Sequence, residues 1–67
     1  MNKHLKAILK KLEGRRDEHL ADLQVYIDNP VGVGEHPGIG EVIEKKIEKI
    51  DELDSNIECI NKYFNND

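Results

Sequence analysis

Three basic side chains interrupt the apolar faces of two predicted helices. Arg16 and His19 fall within the apolar arc of the first helix, and Lys46 falls within that of the second. Together with the neighbouring Arg15, such groups can bind an anionic small molecule such as a nucleotide. The same residues can instead fix the register of packed helices through ion pairs with carboxylates. The sequence leaves both interpretations open.

The register of a hairpin predicts which carboxylates these cations meet. If the chain reverses near its centre, facing residues have numbers that sum to about 66. Arg16 is then expected to pair with Asp51 or Asp54, and Lys46 with Asp17.

A second set of candidate contacts lies in the segment between the helices, residues 28–40, which contains both prolines and four of the five glycines. Free amides ahead of a helix can hold a phosphate, and a connection of two antiparallel helices needs only about 2–8 residues. The alternative is a simple turn, because a reversal needs residues with positive φ. The candidate ligand or partner contacts here are Gly32, Gly34, Glu35 and His36.

Carboxylates along the second helix predict a solvated face rather than a metal centre. Lys45 and Lys49 lie among them, and no histidine follows a glutamate at the three-residue spacing of di-iron bundles. Cys59 has no Cys or His at zinc-ligand spacing. We therefore expect no enzyme, no metal and no cofactor. The carboxylates are Glu41, Glu44, Glu48, Asp51 and Glu58.

Two amphipathic stretches of nearly equal length must position all of these residues. Apolar residues recur at helical spacing over about 3–28 and about 38–64, with no internal proline. We predict an all-α fold in which residues 1–67 form one antiparallel two-helix hairpin, with a Gly/Pro-rich loop at 29–37. Each apolar arc is wider than a two-helix coiled-coil seam, so we expect homo-oligomers, such as a four-helix bundle.

Composition and charge predict where the protein acts and which class of partner is disfavoured. Charged residues make up 36% of the chain, which is typical of long solvated helices. The single cysteine forms no internal disulfide, and no run approaches the ~20 apolar residues of a membrane span, so we expect a soluble cytoplasmic protein. Residues 1–16 carry six Lys and Arg against one Glu, a net +5. Acidic residues 51–67 lie beside them in a hairpin, and this disfavours nucleic acid as a partner.

Residues 26–37 (YIDNPVGVGEHP), Ile43, Glu44 and residues 60–64 (INKYF) carry a family resemblance. With these segments the chain resembles small uncharacterised proteins of tailed bacteriophages. The resemblance implies a short accessory gene product acting in the cytoplasm of an infected host cell. It implies no catalytic residues.

The predicted function is that of a non-enzymatic oligomeric α-hairpin, a protein-binding accessory factor with a host or viral protein as its partner. The alternative is a protein that sequesters a nucleotide-like anion in pockets at oligomer interfaces. A metal-dependent enzyme that uses the carboxylates of the second helix is the third and least supported interpretation.

Overall fold

The computed structural model describes residues 1–29 and 38–65, which form two long helices packed against each other. Helix α1 runs from Lys3 to Asp28, and helix α2 runs from Ile39 to Phe64. No strand occurs in the described part of the chain. The predicted all-α helical hairpin is confirmed. Residues 30–37 of the predicted loop lie outside the described residues.

The helix ends have local causes in the sequence. The side chain of Asn2 accepts a hydrogen bond from the backbone N–H of Leu5 at 2.8 Å, which satisfies one of the free donors at the start of α1. Before α2, Gly38 has a φ of 88°, a backbone conformation that glycine adopts without steric cost. Glu41 in the first turn and Lys62 in the last turn of α2 complement the helix dipole.

The two helices meet along a seam of residues spaced alternately by three and four positions, as in a coiled coil. Arg16, His19 and Lys46 are all seam residues and are half-buried. The polar residues therefore lie between the helices, where the sequence placed them. The seam consists of Leu5, Leu9, Leu12, Arg16, His19, Leu23 and Tyr26 in α1, and of Ile39, Ile43, Lys46, Ile50, Leu53, Ile57 and Ile60 in α2.

Burial differs sharply between the two halves of the hairpin. The terminal half comprises residues 3–15 and 51–64, and it contains all the buried side chains of the described chain: Leu53, Ile57 and Ile60. The loop half comprises residues 16–28 and 39–50, and none of its residues is buried. Because the three polar seam residues lie in the loop half, the tightly packed core stops where they begin.

The molecule is a rod of 49 × 14 × 14 Å with a radius of gyration of 15.2 Å. A compact chain of this length would have a radius of gyration of about 11 Å. The elongated shape leaves many large apolar side chains in solvent. Four that the sequence assigned to the apolar arcs are exposed, because these arcs are wider than the seam: Ile8, Leu20, Ile27 and Phe64.

Candidate functional site

Lys46 of α2 contacts two residues of α1 on one side of the seam. Its Nζ lies 3.2 Å from His19 Nδ1 and donates to Asp22 Oδ2 at 3.0 Å. A lysine ammonium can only donate, so His19 Nδ1 can take part in this contact only as the acceptor. The Lys46 side chain is 23% exposed, so its contacts with His19 and Asp22 are only partly shielded from water.

Arg16 makes its contacts separately from this cluster. Its Nε lies 3.2 Å from Asp17 Oδ1, and its Nη1 lies 3.7 Å from Asp54 Oδ1. The expected pairing of Arg16 with Asp54 is confirmed. The second interaction crosses the seam and therefore helps to set the register of α1 against α2.

The expected pairing of Lys46 with Asp17 is wrong, because Lys46 binds His19 and Asp22 instead. The sum of residue numbers predicts which residues lie at the same position along the rod. It does not predict to which side of the helix each side chain points. At about 100° per residue, Asp17 and Asp22 point to opposite sides of α1. Lys46 points to the side of Asp22, and Asp17 contacts Arg16 instead.

The same rotation divides the loop half into two unlike edges. The polar edge carries the Lys46 cluster and two more lysines: His19, Asp22, Lys45, Lys46 and Lys49. The apolar edge, on the other side of the seam, consists of Leu20, Leu23, Ile27, Ile43, Ile47 and Ile50. Arg16 and Asp54 lie at the end of the apolar edge nearest the terminal half.

The polar edge contains shallow grooves that an anion could enter. One of about 240 Å³ is lined by His19, Val42 and three lysines, Lys45, Lys46 and Lys49. Lysine ammonium groups around such a groove attract phosphate-like anions. Two of the three already have carboxylate neighbours within the hairpin, since Lys46 binds Asp22 and Lys49 lies 3.6 Å from Glu52.

The apolar edge is a surface that the sequence did not single out. Leu20 is 44% exposed, Ile47 54% and Ile27 56%, and the other three residues of the edge are half-buried. The sequence did contain a signal for this surface. Leu20, Ile27 and Ile47 each directly follow one seam residue and lie four positions after another. Positions of this kind flank a coiled-coil seam and are commonly charged.

The remaining predicted contacts are not brought to this site within the described residues. Arg15 is exposed on α1. Arg16 lies on one edge, whereas His19 and Lys46 lie on the other. The structure thus divides the single pocket expected from the sequence. Gly32, Gly34, Glu35 and His36 lie outside the described residues.

Among residues 1–29 and 38–65, no group of three or more His, Cys, Asp and Glu side chains could hold a metal ion. In the same residues, neither helix has a segment long and apolar enough to cross a membrane.

Comparisons with models of protein families, with curated proteins and with solved structures find no match to this chain.

Proposed function

We propose that this chain is a non-enzymatic, self-associating α-hairpin that acts by binding another protein, as a phage-encoded accessory factor. One observation supports this most directly. Eight large apolar side chains are exposed in the described residues, whereas three are buried. Where exposed apolar side chains lie close together, they mark protein-binding sites.

The exposed apolar residues fall in more than one region, which suits a protein that binds both itself and a partner. Three belong to the apolar edge. Another group, Ile8, Tyr63 and Phe64, lies near the end of the rod that carries the chain termini. Aromatic side chains are enriched among the residues that dominate binding energy at interfaces. We assign the host or viral partner to this second group.

The experiment is a pull-down from bacterial lysate followed by reconstitution with the purified captured protein. We expect a stable complex that Ile8→Gln and Tyr63→Gln weaken, because each substitution removes buried apolar area from the interface. The matched control is Ala7→Gln, an exposed position beside Ile8. If no captured protein binds in reconstitution, or if all three variants behave alike, the assignment is wrong.

Sequestration of a nucleotide-like anion is the second candidate function, and the lysine-lined groove of the polar edge favours it. A thermal shift assay with nucleotides tests it. Stabilisation that disappears in Lys45→Gln/Lys49→Gln but persists in Lys11→Gln would support this function. No shift with any nucleotide would exclude it and leave protein binding.

A further inference from the structure

We propose that the apolar edge is the interface with a second copy of this chain. The two rods pack side by side about a twofold axis parallel to their length and close the loop halves into a four-helix bundle. This inference rests on the proposed function, because it names the partner that covers one of its two exposed apolar regions.

The first reason for choosing a second copy is that the hairpin alone has a small core. Only the terminal half buries side chains in the described chain, and one core in a chain of fewer than about 70–80 residues rarely supplies more than about 3–5 kcal/mol, which natural proteins often supplement by assembly. The loop half has the apolar residues but lacks a surface to bury them against. A second copy is present whenever the chain is, so it can always supplement this small core.

The chain as a whole exposes more surface than a compact chain of its mass, by about the area of one side of a stable interface. The chain exposes 5239 Å², whereas a compact monomer of 7.7 kDa would expose about 4,300 Å². The excess of about 900 Å² compares with the ~800 Å² that each partner buries in a typical stable complex.

The apolar edge is also complementary to itself. Lys46 contacts both His19 and Asp22 across the seam, which places Leu20 and Ile47 at nearly the same level of the rod. A twofold axis parallel to the rod keeps every level opposite itself and sets α1 of each copy beside α2 of the other. Leu20 then faces Ile47 of the other copy, with no charged residue between them.

The margins of the apolar edge predict how the pairing responds to salt. Asp17, Glu44 and Asp51 flank it and are exposed, so two copies bring like charges together at the rim. Salt screens such repulsion, and the dimer is expected to tighten as ionic strength rises. A basic amphipathic helix from another protein, the other occupant that this acidic rim would suit, would bind more weakly at high salt.

The test is sedimentation equilibrium on the full chain with a matched pair of substitutions. Ile27 and Val25 are each 56% exposed, but Ile27 lies on the apolar edge and Val25 lies with Asp22 and Lys46 on the other side. We expect dimers of the wild type, a dimer dissociation constant raised about tenfold or more in Ile27→Gln, and a change below about twofold in Val25→Gln. Equal effects of the two substitutions, or a monomeric wild type, would overturn the proposal.

Two further readouts keep the test decisive if Ile27→Gln unfolds. Circular dichroism of that variant should recover helical signal as concentration rises, because assembly and folding are coupled. For the wild type, raising NaCl from about 50 mM to about 500 mM should tighten the dimer several-fold, and weakening would contradict the like-charged rim. A monomer that still captures a protein partner would refute this inference alone, whereas a dimer without a protein partner would refute only the proposed function.

Discussion

The Lys46 ammonium, held between the His19 imidazole and the Asp22 carboxylate, occupies a seam position where leucine or isoleucine would pack better. Ion pairs that remain in contact with water contribute at most about 1 kcal/mol, and the flanking seam residues of this half stay only half-buried. The cluster therefore does little for stability. Its effect is to make one edge of the loop half polar, and in the proposed dimer this leaves only the other edge for a second copy to cover.

Replacing the cluster with apolar residues should separate stability from specificity. The double variant His19→Leu/Lys46→Leu is expected to raise the free energy of unfolding by about 1–2 kcal/mol, because leucine at these two half-buried seam positions adds apolar area that is removed from water. It should also form assemblies larger than the wild type, since both edges are then apolar. Urea denaturation and light scattering measure the two effects.

Lys11→Leu provides the control, because it removes the same charge from an exposed position outside the seam, in the terminal half. Loss of stability in the double variant, with unchanged assembly, would show that the cluster holds the helices together rather than selecting an edge.

The residue contacts show what a sequence can predict and where geometry is needed. The positions of the residues along the rod predicted Asp51 or Asp54 as the partner of Arg16, and the structure shows Asp54. The pairing of Lys46 required the side as well, and level alone suggested Asp17 where the helix rotation selects Asp22. The same omission merged Arg16 with His19 and Lys46 into one expected pocket.

Gly14 is the one residue within α1 that disfavours the helix it belongs to. It lies in the terminal half and is exposed, and a Cβ atom built on it would meet nothing within 4 Å. A glycine in a helix interior costs about 1 kcal/mol relative to alanine. Within one hairpin, this cost has no compensating contact.

Gly14→Ala is therefore expected to raise the free energy of unfolding by about 1 kcal/mol. Gly40→Ala is the matched control, since Gly40 also has open space around it but lies in the first turn of α2, where the effect should be smaller. Denaturant titration measures both. If Gly14→Ala instead weakens self-association, Gly14 is a point of close approach for a neighbouring helix and the assembly differs from that proposed.

The helices themselves were predictable because apolar residues at three- and four-residue spacing are a local signal. The contrast between the halves was harder to predict. It depends first on Arg16, His19 and Lys46 lying at nearly the same position along the rod. It depends second on Leu20, Ile27 and Ile47 lying just outside the seam. The first feature appears only when α1 and α2 are placed side by side, whereas the spacing of the three apolar residues is visible in the sequence.

The rod as a whole has two unlike halves. The terminal half contains the buried side chains of the described chain, and the loop half has one polar and one apolar edge. The described residues contain no buried ionisable group, and more of their large apolar side chains are exposed than buried. These features support the proposal that the chain acts through contacts with other chains. In this proposal the terminal half stabilises the hairpin, and the apolar edge is the surface for assembly.

Solution X-ray scattering of the wild-type chain with a parallel mass determination tests side-by-side assembly most directly. We expect twice the mass of the 7.7 kDa chain in a particle little longer than the single 49 Å rod, because pairing along the apolar edge thickens the rod without extending it. A particle of monomer mass, or one of dimer mass and about twice the rod length as end-to-end contact would give, would contradict this arrangement.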